Sequence, residues 1–349
     1  MNSPKVTVLM PVYNGERYLG QAIESILSQT FRDFEFIIID GGSKDSTPAI
    51  LAHYQQMDDR IRVYYQENQR LVDSLNMGCQ LARGKYIARM DADDISLPQR
   101  LVRQVDFMEA RPEIGILGTW AQSIDESGKK VENWHPPASP GLVGWCLILS
   151  NCLIHGSVMM RRNVVEEMGF YKPAASQAPE DYDLWARASL VTQVANIPEI
   201  LVRYRVWQAS TSAGHLKAME EYADKVSQAM VTKLLNSEVT LDVATSLRRV
   251  ARGLPLDNIK QVETSASLVH QLYRAYLKAN ALSSKEAGAV AQDAGIKLLF
   301  LAVLAVRFSL PKAAAIFAQA LRLHPQLVLS RQLITKGINK GMRMLTKRA

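Results

Sequence analysis

Cysteine is scarce in this 349-residue chain: Cys79, Cys146 and Cys152 are the whole set, and none lies in a CxxC pair. An odd, scattered set argues against a disulfide framework or a structural zinc site and fits a reducing cytoplasm. Long apolar runs are missing too. The longest, Leu298 to Val306, has nine residues, against about 20 for a membrane-spanning helix. The start, Met1-Asn2-Ser3-Pro4-Lys5, enters a strand-like segment with no charged-then-apolar leader before it. These features predict a chain made in the cytosol and kept on that side. Acid is absent from the C-terminal end: Ala294 to Ala349 holds ten Lys and Arg and no Asp or Glu. That tail carries +10 in a chain of net charge +7, so the preceding 293 residues sum to −3 and the basicity belongs to the tail. With 48% hydrophobic and 21% charged residues, nothing reads as disorder or collagen.

What is present is an alternation of short apolar runs and helical patterns. Val6 to Met10 reads as a buried strand that stops at Pro11, and Glu16 to Gln29 as a helix with Leu19, Ile23, Ile26 and Leu27 at helical spacing. Phe34 to Ile39 is a second strand, ending at Asp40-Gly41-Gly42-Ser43; Thr47-Pro48 opens the next helix. Ile61 to Tyr65, a helix over Leu71 to Arg83, and a strand over Tyr86 to Met90 follow. This order predicts an α/β fold, a mostly parallel central sheet with helices on both faces. Ligands bind beyond the carboxyl ends of such strands. The turns after Pro11, at Asp40-Gly41-Gly42 and at Asp91-Ala92-Asp93-Asp94 should therefore converge on one edge. Further on, Gln122 to Leu142 reads as a polar, proline-rich loop, Ile154 to Met160 as a strand, Glu180 to Leu190 as a helix and Gln193 to Tyr204 as strand-like around Pro198. From about His215 the pattern is helical. The expected division is a domain over 1–212, with halves at about 1–120 and 121–212, and a helical, basic region over 213–349.

Three carboxylates in four residues at a strand end repel one another, so a positive partner is expected. A hard divalent cation that keeps waters and phosphate ligands takes one or two protein carboxylates, which Asp91 and Asp93 supply; Asp94 competes as a helix cap. Asp40-Gly41-Gly42-Ser43 suits close backbone approach to a ligand, with Asp40 accepting from a base or ribose, and suits a tight strand-to-helix turn equally well. Glu180-Asp181 offers a general base, although local grounds alone favour acids at a helix start. There is neither a Walker loop nor a GxGxxG fingerprint, and no evident Ser-His-Asp or Cys-His arrangement.

Together these segments resemble the family 2 inverting glycosyltransferases of bacterial polysaccharide and cell-surface glycan synthesis. The resemblance rests on Pro11-Val12-Tyr13-Asn14-Gly15-Glu16-Arg17-Tyr18-Leu19, on Ile39 to Thr47, on Ala82 to Asp94, on His155 to Arg162 and on Glu180 to Trp185, in order, over roughly residues 4 to 206. It implies a GT-A fold with a helical C-terminal extension. It also implies that Pro11, Tyr13, Asn14, Asp40, Gly41 and Asp91 hold the nucleotide, and that Asp93, with Asp91, holds Mn²⁺ or Mg²⁺ on the diphosphate. Asp181, with Glu180, would be the catalytic base, and His155 and Trp185 would lie on the acceptor side. Three departures bear on the diphosphate contacts. Arg70 stands where many relatives have glycine, Gly41 where many have Asp, and Trp207 where a His often follows a Tyr-Arg pair; His215 is either a substitute or, as its loop position favours, a solvent-facing residue.

The expected donor is a nucleotide sugar, a UDP-sugar first, and the acceptor a glycan or lipid-linked hydroxyl. The tail, with Leu298-Leu299-Phe300-Leu301 among spaced Lys and Arg, reads as a peripheral membrane element at the cytoplasmic face or as a packed helical subdomain. Nucleic acid is a poor fit because no aromatic platform accompanies the basic residues. A sugar nucleotidyltransferase would need a glycine- and basic-rich first loop, which Val12-Tyr13-Asn14-Gly15 does not provide. A non-catalytic scaffold with a decayed site is opposed by the intact acidic cluster and Glu-Asp pair. A processive polymer synthase is disfavoured by the absence of membrane spans and of a Gln-x-x-Arg-Trp signature.

Overall fold

The structure, a computed structural model, describes residues 3–67, 70–172, 180–206 and 216–325. Trp207, His215 and the tail beyond 325 lie outside the described residues.

The first four strands form as their composition dictates. β1 (Val6–Val12) is followed by α1 (Leu19–Leu27), β2 (Phe34–Asp40), α2 (Thr47–Met57), β3 (Ile61–Tyr65), α3 (Leu71–Leu81) and β4 (Tyr86–Arg89). β1 and β2 are buried along their whole length, which continuous apolar runs allow when both faces of a sheet are covered. They pair in parallel, Val8 opposite Phe36, while the other side of β1 pairs with β4, Val8 opposite Ala88. α1 begins three residues later than its apolar pattern predicts. Gly15 O accepts from the N–H groups of Tyr18 and Leu19, closing a turn before the helix starts. Gly84 lets β4 begin close beside β1: its N–H donates to Thr7 Oγ1, and a Cβ there would come within 2.4 Å of the Thr7 backbone nitrogen.

β5 (Ile95–Ser96), α4 (Arg100–Ala110), β6 (Ile114–Ile124) and β7 (Lys130–Trp134) come next, then α5 (Pro140–Leu147), a 3-10 turn at His155–Ser157, β8 (Met159–Arg161), α6 (Arg162–Glu167), α7 (Glu180–Ala188) and β9 (Gln193–Arg205). Among the described residues the sheet runs β3-β2-β1-β4-β8-β6-β9-β5, with β7 paired on β6. It is parallel from β3 to β4. Beyond that β8 is antiparallel to both of its neighbours, β4 and β6, and β6 again runs parallel to β9. Pro198 is accommodated where the β6–β9 register slips between Thr119–Ile197 and Trp120–Ile200, a bulge that releases its missing donor.

Two expectations are corrected here. The stretch from Gln122 is a hairpin, because β7 pairs Ser123 with Glu132 and Ala121 with Trp134. Every β7 residue is exposed, so no apolar alternation marked it. The strand expected over Ile154 to Met160 is cut short, because Ser157 folds back to donate from its Oγ to Ile154 O and closes a tight turn. His155 therefore sits on a turn.

The chain divides into two compact units. One comprises Met1–Ala138 with Cys152–Met219, the other Ser139–Asn151 with the chain from Glu220 onward. The second unit holds α5, most of α8 (Leu216–Leu235), α9 (Leu241–Arg252), α10 (Ile259–Ala279), α11 (Ser284–Ala305) and α12 (Leu310–Leu323). α11 opens with a capping box between Ser283 and Glu286, and Glu286 also accepts from Gly141 N–H at the start of α5. Leu298, Leu299, Phe300 and Leu301 are buried in this unit's core, so the idea that they face a lipid surface is overturned. α11 has a mean hydropathy of 1.6 over a spanning-length window, but 56% of that window is buried inside the protein.

Candidate active site

The turns after β1 and β2 hold each other. Asn14 N–H donates to Ser43 Oγ (2.8 Å) and Gly15 N–H to Thr47 Oγ1 (2.8 Å). In return Lys44 N–H donates to Asn14 Oδ1 (2.9 Å) and Ser46 N–H to Glu16 Oε2 (2.9 Å). Asn14 sits at φ 50°, a region that Asn tolerates better than most residues. Asp40 is buried, and its Oδ1 accepts from both the N–H and the Oγ–H of Ser43 at 2.9 and 2.6 Å, so it shapes the turn. Pro11 and Gly41 are buried at the strand ends. Tyr13 is 61% exposed and free of that packing.

The acidic cluster follows β4 on the same sheet edge. Asp91 and Asp93 are half-buried and Asp94 is buried. β5 begins immediately after Asp94, so Asp94 caps no helix. Its Oδ1 instead accepts from Arg205 N–H at 2.8 Å, while Arg205 Nε donates to Asp93 O at 2.9 Å and ties the end of β9 to the cluster. Burial, reinforced by the charge of Asp93, pushes the Asp94 carboxyl up to about 7, against the pull of the Arg205 N–H and of Arg89 and Arg100. Arg89 is buried and ion-paired with Asp91. Arg100, fully buried, donates to Arg89 O and is drawn down to about 9 by desolvation. Among the described residues Arg89 Nε and Asp94 Oδ2 are buried without a hydrogen-bond partner. Gly156 faces the cluster at close range: a Cβ there would lie 2.6 Å from Asp94 Oδ2 and 2.7 Å from Asp91 Oδ2.

Glu180 and Asp181 open α7. Glu180 Oε1 lies 3.7 Å from His155 Nδ1, too far for a hydrogen bond. His155 Nε2 meets Tyr171 Oη at 3.0 Å, and Asn76 fixes Tyr171 by bonding both its N–H and its carbonyl. Burial, then the neighbouring charge of Asp181, pushes Glu180 up to about 7, while Arg89 opposes the rise. Burial and the Arg89 charge hold His155 well below its ordinary value, so the imidazole is neutral at pH 7. Asp181 Oδ1 accepts from Tyr182 N–H at 2.6 Å. Trp185 does not face an acceptor: it is fully buried, edge-on to His155 and Tyr171 at 5.7 and 6.3 Å, and supports them from behind. Its helical spacing from the equally buried Tyr182 marked it as core.

Residues remote in sequence thus meet around one buried guanidinium. Arg89 pairs with Asp91 and feels the charges of Asp93, Asp94 and Glu180. Sequence reasoning did not single out Arg89, Arg100, Arg205 or Gly156. An arginine inside the apolar run Tyr86 to Met90 was the available signal. No group of three or more His, Cys, Asp or Glu side chains forms a ready metal cage among the described residues. Asp91 and Asp93 at a strand end, beside the buried unpartnered Asp94 Oδ2, suit a hard cation that draws its remaining ligands from phosphate and water.

A parallel half-sheet whose strand ends carry linked turns and an acidic cluster, with an antiparallel strand leading to a second acidic pair, is the plan of GT-A glycosyltransferases. The chain matches the glycosyl transferase family 2 model over residues 7–169. It is 30% identical to an uncharacterized glycosyltransferase of Haemophilus influenzae over 79% of its own length and 87% of that protein. It is 33% identical to the Escherichia coli O-antigen biosynthesis glycosyltransferase WbnJ, over 62% of this chain and 85% of WbnJ. Among solved structures, S. aureus TarS 1-349 in complex with UDP-GlcNAc aligns with a TM-score of 0.56 at 15% identity, over 93% of this chain and 92% of that one. The Pyrobaculum calidifontis mannosyltransferase PcManGT, in complex with GDP-Man and Mn²⁺, aligns at 0.51 and 16% identity, over 97% and 85%. The chain belongs to glycosyltransferase family 2, and it is a glycosyltransferase with a GT-A fold.

Proposed function

We propose that this glycosyltransferase moves a sugar from a nucleotide-diphosphate donor, a UDP-sugar first, to a hydroxyl of a glycan or lipid-linked acceptor, with inversion at the anomeric carbon. The observation that carries the reading is the meeting of Asp91, Asp93 and Asp94 with Glu180 around buried Arg89. Tyr13, exposed at the end of β1, and the turns bearing Pro11, Asn14, Asp40 and Gly41 would receive the nucleoside. Asp93 and Asp91 would hold Mn²⁺ or Mg²⁺, which when bound neutralises charge on the departing diphosphate. Asp181 takes the proton of the attacking hydroxyl as the new C–O bond forms and the bond to the diphosphate oxygen breaks. One displacement with one base gives inversion, and no covalent nucleophile is needed. Neutral His155 lines the base side without competing for that proton. That UDP-GlcNAc and GDP-Man accompany the two structural neighbours supports a nucleotide-sugar donor, and the role of WbnJ in O-antigen synthesis supports a cell-surface glycan product.

The test is donor turnover by the full chain with UDP-GlcNAc, UDP-glucose, UDP-galactose and GDP-mannose. Release of nucleoside diphosphate should require Mn²⁺ or Mg²⁺, stop on chelation and return on metal addition. Turnover unaffected by chelator would remove the metal from the mechanism, and turnover of none of a broad donor set would remove the reading.

Contact with anionic lipid at the cytoplasmic face is proposed through α12. Leu310, Ala314 and Phe317 are exposed at helical spacing, Leu310 by 69%, beside Arg307 and Arg322. Full-length protein should co-sediment with phosphatidylglycerol vesicles and not with phosphatidylcholine vesicles, and Phe317→Glu should release it. Equal recovery with both lipids would refute the electrostatic attraction.

A further inference from the structure

The β6–β7 hairpin presents a half-exposed tryptophan at its outer end. All five residues of β7 are exposed, and Trp134 is 43% exposed. A hairpin strand with no buried face gains little from carrying an indole there. Trp134 is nevertheless held in a defined position. Its Nε1–H donates to Glu132 Oε1 at 2.8 Å, and its ring lies 5.9 Å from that of Tyr204 at a 46° tilt.

The register explains that contact and connects it to the site. Trp134 is opposite Ala121, Ala121 is opposite Val202, and Tyr204 is two residues further along β9, so all four share one face of the sheet. Tyr204 packs against the small cluster of Ala121, Ile154 and Val202. Ile154 immediately precedes His155, which lies beside Glu180. The next residue after Tyr204 is Arg205, whose N–H binds Asp94. The aromatic pair therefore continues the site outward from the acidic cluster and the base side. Trp120 belongs to the other face, with its ring against His135 and its Nε1 bonded to Pro136 O.

We propose that Trp134 and Tyr204 form an acceptor subsite that takes the apolar C–H face of a sugar ring, with Glu132, on the same face of β7, beside it to meet a ring hydroxyl. This rests on the sugar-transfer reading for its purpose. Its occupant follows from the chemistry of the two rings. An indole and a phenol, each an apolar body with a polar tip, match a pyranose, which has apolar faces and a hydroxylated edge. A purely apolar partner would be a poor match for the carboxylate of Glu132 beside the indole. Holding the acceptor ring there orients its hydroxyl for attack.

The test uses octyl glycosides of glucose, galactose, N-acetylglucosamine and mannose as probes, read by saturation-transfer NMR on the full chain with UDP and Mn²⁺. Ring protons of at least one glycoside should be saturated by the wild type. Trp134→Ala should weaken that binding about three- to tenfold, and Trp134→Tyr should restore most of it. Because Trp134 is half-exposed at the sheet edge, both variants should stay folded, and their melting temperatures check that lost saturation is not lost fold. Equal ring saturation in wild type and Trp134→Ala, or saturation in neither, overturns the subsite. Donor hydrolysis is scored separately, so its absence from the wild type would count against the transferase reading while the glycoside contact still stood or fell on its own signal.

Discussion

Asp181→Asn should lower the rate of sugar transfer by about 10²- to 10⁴-fold, the range that a positioned general base contributes, and leave the fold intact. The substitution keeps the shape of the side chain. The amide oxygen can still accept from Tyr182 N–H, the bond that Asp181 makes at the start of α7. What is lost is the capacity to hold the hydroxyl proton. Glu180→Gln is the matched control. Burial and the adjacent charge push Glu180 up to about 7, a value that would also suit a general base near neutrality, so the two carboxyls have to be separated by rate. Initial rates with a saturating donor separate the two. If Asp181→Asn stays within about tenfold of wild type while Glu180→Gln collapses, the base is Glu180.

Arg89→Met should cost about 3–5 kcal/mol of stability at pH 8, the penalty for stripping a buried ion pair of one partner, and much less at pH 5. Arg89 is buried and is the cation paired with Asp91. It also pulls down the carboxyls of Asp94 and Glu180, both of which burial has raised to about 7. A carboxyl whose folded value is raised binds its proton more tightly in the native chain than in the unfolded one. Its presence therefore favours the native state at low pH, and that advantage is lost as pH rises from about 4 through about 7. Without Arg89 both values climb further, so in the variant the loss continues above about pH 7, where that of the wild type has ended. Urea unfolding of metal-free wild type and variant at pH 5 and pH 8 measures the difference. A pH-independent gap would mean that Arg89 acts by packing alone.

The half of the fold from β1 to β4 was legible because its signals are local. Val6 to Val12 and Phe34 to Asp40 are apolar runs of strand length that end in turn residues, and the acidic cluster follows a strand directly. The site was legible in its acids and not in what holds them. Arg100 and Arg205 act across 11 and 111 residues of sequence, in the bonds to Arg89 O and to Asp94, and no periodicity announces such a partner. The hairpin strand β7 escaped for the opposite reason, having no buried face to pattern it. α5 reads as part of the segment around it, yet its contacts are with the C-terminal helices, through Gly141 N–H to Glu286 and Trp145 Nε1 to Asp293.

The mutual bonding of the turns after β1 and β2 has a thermodynamic meaning. Fixing the backbone of a flexible residue costs about 1–2 kcal/mol, and a nucleotide that had to order these turns would forfeit that amount for each one. Asn14, Gly15, Ser43 and Thr47 are joined by bonds between the two turns themselves. Folding itself meets that entropic demand, and for a donor bound there as proposed more of each contact would be retained as affinity.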